Sequence, residues 1–224
     1  MEAVILCAGF GRRLRPITKT IPKPLIKYNN ETILKHIILK LFSIGVNKFF
    51  INGHYLSYKI RDFLNGIYGV EIVFYEELEI LGTGGGIYSF KNFLKNDFFI
   101  IHNGDIVHKI DILKAIDFHI KNNAFGTLIL KDDYQNNVIV ENLRILDFKK
   151  GNYQNAWTFT GISIVSIEFL NYLNYKCSLI EGFKKAILDN KLILAYITNE
   201  PWFDILKEFT MHNTDNLCFK IFKL

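Results

Sequence analysis

Residues 9–24 gather two glycines, three arginines and a lysine held between prolines. They read Gly9-Phe10-Gly11-Arg12-Arg13-Leu14-Arg15-Pro16-Ile17-Thr18, followed by Pro22-Lys23-Pro24. Glycines in such a turn let the backbone approach a ligand closely, and successive N–H groups can cradle an anion. Guanidinium and ammonium groups beside them hold phosphate oxygens, arginine through a planar fork and lysine as a point charge. The chemistry on offer is the grip of a polyphosphate. A dinucleotide fingerprint would need a third glycine where Leu14 stands, and a P-loop would need Gly-Lys-Ser/Thr, which is absent. Gly9-Phe10-Gly11 alone also fits an ordinary strand-to-helix turn; Arg13, Pro16, Thr18 and Lys23 make the pattern specific.

Three other segments offer related chemistry. Leu81-Gly82-Thr83-Gly84-Gly85-Gly86-Ile87 contains three consecutive glycines. These are costly to order unless the backbone must pass close to something flat or charged; a flexible helix entry is the alternative. Asn103-Gly104-Asp105 follows an apolar run, and a carboxylate just past a parallel strand lies where open α/β sheets bind ligands. The same tripeptide is also a common turn. Trp202-Phe203-Asp204-Ile205 supplies a further carboxylate, or else a helix N-cap. His54, His102 and His108 show no metal-ligand spacing and are read as uninvolved in the chemistry.

With Gly9, Gly11, Arg13, Leu14, Pro16, Thr18 and Pro22-Lys23-Pro24 all in place, the head of the chain resembles the sugar-1-phosphate nucleotidyltransferases. Around residues 82–87 it is most similar to N-acetylmuramate-1-phosphate uridylyltransferases and mannose-1-phosphate guanylyltransferases. The resemblance implies the nucleotide-diphospho-sugar transferase fold and Mg²⁺-dependent transfer of a nucleoside monophosphate to a sugar 1-phosphate, with UTP or GTP as the favoured donor. It assigns Ala8, Gly9, Gly11, Arg12, Gly82, Thr83, Gly84 and Gly85 to the nucleotide. Arg13 and Lys23 would neutralise the pyrophosphate and α-phosphate, Asp105 would be the main magnesium ligand and Asp204 the second. On the acceptor side, Thr160 and Gly161 are similar to the family's Thr-Gly-Ile strand start, and Lys150 loosely echoes its sugar-phosphate lysine. Glu141 and Glu181 would bind sugar hydroxyls or face water. One departure stands out: the Gly-Thr pair expected after the second aspartate is missing, and Leu206-Lys207 follow instead. Two rivals remain open, a choline-phosphate-type cytidylyltransferase and a catalytically weak, nucleotide-binding regulatory paralogue.

The elements that must position these residues follow from periodicity. Short apolar runs predict strands at 4–8, 48–52, 70–75 and 97–102, alternating with helices at 32–43, 56–64 and 83–94. This alternation implies a Rossmann-like, doubly wound sheet, mixed but mostly parallel, with helices on both faces. Beyond Asp105 the pattern predicts helices at 111–122 and 179–188, strands at 126–130, 158–166 and 193–197, and a hairpin from 138–140 and 144–148.

The 224 residues, half of them hydrophobic, suit one catalytic domain over 1–224, with no room after Asp204 for a C-terminal β-helix. No apolar run approaches the roughly 20 residues of a membrane span. Glu2 ahead of a short apolar stretch argues against a signal peptide. Three scattered cysteines, Cys7, Cys177 and Cys218, form neither metal spacing nor an even disulfide set, so a cytoplasmic protein is expected. The net charge of +5 is modest and, apart from Arg12, Arg13 and Arg15, dispersed. That excludes the broad basic stripe of a nucleic-acid binder. A monomer or homodimer acting on small phosphorylated molecules is expected.

Overall fold

The computed structural model describes residues 1–133, 137–149 and 156–205; Lys150 lies outside the described residues. The first half runs β1 (Glu2–Leu6), β2 (Lys27–Tyr28), β3 (Glu31–Thr32), α1 (Ile33–Ser43), β4 (Lys48–Gly53), α2 (Ser57–Leu64), β5 (Glu71–Glu76), α3 (Gly82–Tyr88) and β6 (Phe98–Asn103). Then come β7 (Ile106–His108), α4 (Ile112–Lys121), β8 (Gly126–Lys131), β9 (Val138–Glu141), β10 (Arg144–Phe148) and β11 (Ala156–Ser166). The last elements are α5 (Leu179–Leu188), β12 (Ile193–Ile197) and β13 (Trp202–Asp204).

β1 lies at the centre of the first half, parallel to β4 on one side and β6 on the other, with β5 outside β4. It is buried on both faces, which is why it reads as a continuous apolar run. Ala3 and Ile5 meet the apolar stripes of α1, α2 and α4, including Ile33, Ile37, Ile60 and Ile116. Val4 faces the opposite core, where Ile87 of α3 and Phe183 of α5 pack. Helices therefore cover both faces, as the alternation implies. Local chemistry fixes their starts. The Thr32 hydroxyl accepts from Lys35 N–H at the head of α1, and Ser178 with Glu181 forms a capping box on α5. Glu181 is thus a cap at the helix start and is exposed, in keeping with the water-facing alternative of its two readings.

The second half departs from the mostly parallel expectation. β11 runs antiparallel to β6, β8 and β9, and β10 runs antiparallel to β12 and β9; only β8 and β12 pair in parallel. Because β9 pairs with both β10 and β11, the strands β11, β8, β12, β10 and β9 close on themselves as a barrel-like ring. The cause lies in β11. Its register on β8 slips between Phe159 and Ser163, around Gly161 at φ +82. At that kink the strand changes neighbours, from β9 before it to β6 after it. The helix expected over 83–94 ends at Tyr88. β7 and β13, not foreseen as strands, form a separate two-stranded ribbon.

Candidate active site

The chain winds from β1 outward through β4 to β5, then returns to lay β6 on the other flank of β1. Such a reversal leaves a crevice beyond the carboxyl ends of the strands. A cavity of about 230 Å³ opens there, lined by residues 6–9 after β1, Lys23 and Pro24, Asn52, Glu77, Ile80, Gly82, Thr83 and residues 103–105.

Two charged side chains on its wall, Lys23 and Asp105, meet a third, Asp204, beside it. Lys23 Nζ bonds Asp105 Oδ2 and lies 3.6 Å from Asp204 Oδ1. Lys23 stands at the start of a tight 3-10 turn, Lys23–Leu25. Asp105 sits in the turn between β6 and β7. Asp204 arrives from 99 positions away through the antiparallel β7–β13 ribbon, which sets Asp204 opposite Ile106 and Trp202 opposite His108. Ile205 N–H donates to the Asp105 carbonyl at 3.3 Å, and the Trp202 indole donates to the Thr160 carbonyl at 2.8 Å. Leu206 and Lys207, which stand where the Gly-Thr pair is expected, lie outside the described residues.

Beneath the cavity lies a polar network that sequence inspection misses. Cys7 N–H donates to Asn52 Oδ1 at 2.8 Å, and Asn52 Nδ2 donates to Glu77 Oε1 at 2.6 Å. Leu81 N–H donates to Glu77 Oε2 at 3.1 Å. Asn52 and Glu77 are buried, and together they tie the end of β1 to the 77–82 segment. The one available signal was an Asn ending a buried apolar strand, where a lone polar residue needs a partner. Cys7 is buried too; desolvation, with Asp105 nearby, holds its thiol far above its ordinary pKa, so it stays neutral.

The glycine–arginine loop is set by Thr18, whose hydroxyl donates to the Gly11 carbonyl at 2.7 Å. Gly11 adopts φ +62, and a Cβ there would lie 2.9 Å from Thr18 Cγ2. Ala8 and Gly9 reach the cavity; Gly11, Arg12 and Arg13 are not on its wall. Arg12 lies over the Phe10 ring at 4.8 Å, and Phe10 packs edge-on against His54. Arg13 is exposed on the adjoining 3-10 turn.

The glycine-rich segment divides. Gly82 and Thr83 line the cavity, whereas Gly84, Gly85 and Gly86 are buried and not on its wall, Gly86 lying behind Asn52 and Glu77. The Cys177 carbonyl accepts from both Gly84 N–H and Gly85 N–H, at 2.9 and 3.1 Å. A Cβ on Gly85 would lie 2.4 Å from the Tyr175 carbonyl oxygen. Close backbone approach is indeed what these glycines permit. For Gly84 and Gly85, however, the surface approached is the chain's own 175–178 segment, a correction to their reading as nucleotide contacts. Gly85→Ala is therefore expected to cost about 1–3 kcal/mol of folding stability through overpacking, measured by urea denaturation. Thr83 is also engaged, its hydroxyl accepting from Leu179 N–H at 2.8 Å.

On the acceptor side, the buried Thr160 hydroxyl donates to the Ile129 carbonyl at 2.8 Å. Gly161 faces Asn103: a Cβ there would lie 2.4 Å from Asn103 Nδ2, and Asn103 is on the cavity wall. Glu141 is not brought to the site. It is exposed at the β9–β10 turn, opposite Arg144, and Arg144 pairs with Leu194 near the start of β12. β12 runs parallel to β8, so that end is remote from the crevice at the strand carboxyl ends.

Residues 2–137 match the model of the nucleotidyl transferase family, and the chain belongs to that family. It is similar to the bifunctional protein GlmU of Methanococcus vannielii, 38% identical over 141 residues, covering 63% of this chain and 32% of that one. It is also similar to D-glycero-alpha-D-manno-heptose 1-phosphate guanylyltransferase of Aneurinibacillus thermoaerophilus. That protein is 29% identical over 213 residues, with 92% of this chain and 93% of the relative covered. The chain thus spans about a third of the GlmU relative and nearly all of the guanylyltransferase. Among solved structures, the inositol-1-phosphate CTP transferase from T. maritima superposes with a TM-score of 0.80 at 20% identity, over 91% of this chain and 88% of that one. At that identity the likeness speaks to fold. Among the described residues, no helix is long and apolar enough to cross a membrane.

Proposed function

We propose that this chain transfers a nucleoside monophosphate from an NTP to a sugar 1-phosphate, forming an NDP-sugar and pyrophosphate. The observation that carries the reading is the meeting of Lys23 and Asp105, on the wall of the crevice beside β1, with the Asp204 carboxylate. GTP and UTP are the favoured donors. Likeness to the heptose 1-phosphate guanylyltransferase puts GTP first.

A sugar 1-phosphate is already an anionic nucleophile, so no proton must be removed before one of its oxygens attacks the α-phosphorus. That bond forms as the bond from the α-phosphorus to the bridging oxygen breaks, and pyrophosphate leaves. The task for the protein is to bring two polyanions together in line and to neutralise their charge. Lys23 exchanges its carboxylate partners for the α-phosphate. Arg13, exposed on the glycine–arginine loop, meets the departing pyrophosphate. Ala8, Gly9, Gly82 and Thr83 shape the nucleotide pocket, and the backbone around Thr160 and Gly161, with Asn103, faces the acceptor.

The carboxylates suit Mg²⁺. Asp105 and Asp204 already direct oxygens at one shared cation, the Lys23 ammonium. Magnesium takes one or two protein carboxylates, completing its shell with phosphate oxygens and water. Bound by Asp105 and Asp204, it would neutralise phosphate charge. We place the reaction in the cytoplasm, consistent with free thiols at Cys7 and Cys177, with the protein acting as a monomer or homodimer.

The test is a pyrophosphate-release panel of the common NTPs against mannose-, glucose-, N-acetylglucosamine-, N-acetylmuramate- and heptose-1-phosphates. Release that requires NTP, sugar 1-phosphate and Mg²⁺ together is expected. Turnover of CTP with phosphocholine alone, or nucleotide binding without any turnover, would overturn the reading.

A further inference from the structure

β7 leaves the nine-stranded sheet, so no backbone ladder joins it to β6, although only the turn bearing Asp105 separates the two strands. A side-chain bond crosses that gap. His102 Nε2 lies 3.1 Å from His108 Nε2, with the ring centroids 5.2 Å apart. His102 is fully buried and His108 nearly so. Neither ring lines the cavity.

The hydrogen bonds of the pair favour one arrangement of protons. His102 Nδ1 is 2.7 Å from the Asn103 carbonyl oxygen, which can only accept. His102 therefore carries its proton on Nδ1 and offers Nε2 as an acceptor. His108 must then donate from Nε2, which leaves its Nδ1 bare. No hydrogen bond within geometric limits reaches His108 Nδ1 among the described residues, although the Ile110 backbone lies close enough to act on the ring. Burial, the largest influence, keeps both rings neutral, lowering His102 to about 4 and His108 to about 2. Lys40 of α1 acts in the same direction on both; Asp105 opposes it at His102, and the Ile110 carbonyl opposes it at His108.

We infer that His102 and His108 are positioning residues, a tautomer-locked pair that sets Asp204 at its distance from Asp105. The end of β6 carries Asp105, while β7 carries β13 and with it Asp204, through the pairing of Ile106 with Asp204 and His108 with Trp202. Holding β7 against β6 therefore holds one carboxylate against the other. The inference rests on the metal-binding reading of those two aspartates.

The test compares His108→Gln, which places an amide donor near the position of Nε2, with His108→Leu, which has none. Mn²⁺ binding is followed by EPR without nucleotide, alongside steady-state kinetics. His108→Leu is expected to weaken Mn²⁺ binding and lower kcat about 10–100-fold, as loss of a partner behind a metal ligand does, with KM for the nucleotide little changed. His108→Gln should restore most of both. Long-range ¹⁵N–¹H spectra of the wild type should show Nδ1–H at His102 and Nε2–H at His108. A proton on His108 Nδ1, directed at Ile110, overturns the inference even if His108→Leu fails to fold. Mn²⁺ binding retained by both variants overturns the inference alone. A wild type that binds no Mn²⁺ overturns it together with the metal reading.

Discussion

Asp105→Asn is expected to reduce pyrophosphate release at least 10³-fold while leaving the protein folded. The amide preserves the size of the side chain and removes its charge, so the substitution tests electrostatics rather than packing. Taking away one preorganised electrostatic contact in an active site typically costs 10²–10³-fold, and a metal ligand does more than one such job. The fold should survive for a reason visible at the site. Asp105 is 25% exposed, and Lys23 keeps Asp204 at 3.6 Å, so no buried cation is stranded. The Asp105 carbonyl, which takes Ile205 N–H, is unaffected. The check is a pyrophosphate assay paired with a thermal melt. Activity within tenfold of wild type would remove Asp105 from the site.

Lys23→Met should separate two properties that usually fall together. Turnover is expected to drop about 10²–10³-fold, because the α-phosphate loses its cationic partner in the transition state. Divalent-cation binding to the free protein should rise instead. In the wild type the Lys23 ammonium occupies both carboxylates. Methionine removes the ammonium that Asp105 and Asp204 share, and Mg²⁺ would take its place between the two carboxylates. Added MgCl₂ should therefore raise the melting temperature of Lys23→Met by more than that of wild type, since a ligand bound only by the folded state stabilises it by mass action. An equal or smaller shift would mean that Lys23 and the metal do not compete for the same oxygens.

How much of this was readable in the chain depends on whether the information is local. The cavity-lining positions Gly9, Lys23 and Asp105 were readable because the first two belong to one short motif and the third directly follows an apolar strand. Gly84 and Gly85 were misread because a glycine shows only that something must come close, not whether that is a ligand or the carbonyls of Tyr175 and Cys177. The curl of the second half was missed because strand direction depends on partners, and the partners of β11 change at Gly161. Asn52, Glu77 and the His102–His108 pair were passed over because a polar residue in a strand does not disclose what it faces across the fold.

The residues by themselves determined the chemistry available: a glycine–arginine loop, a lysine between prolines, and carboxylates at 105 and 204 suited to a hard cation. They determined the alternating α/β core as well, since periodicity is a property of neighbours along the chain. Only the tertiary structure decided that these groups form one site. Lys23, Asp105 and Asp204 are separated by 82 and 99 positions, and what joins them is a crevice at a reversal of winding and the β7–β13 ribbon. Both arise from strand pairing, where backbone hydrogen bonds act between distant segments and leave no mark in the local sequence.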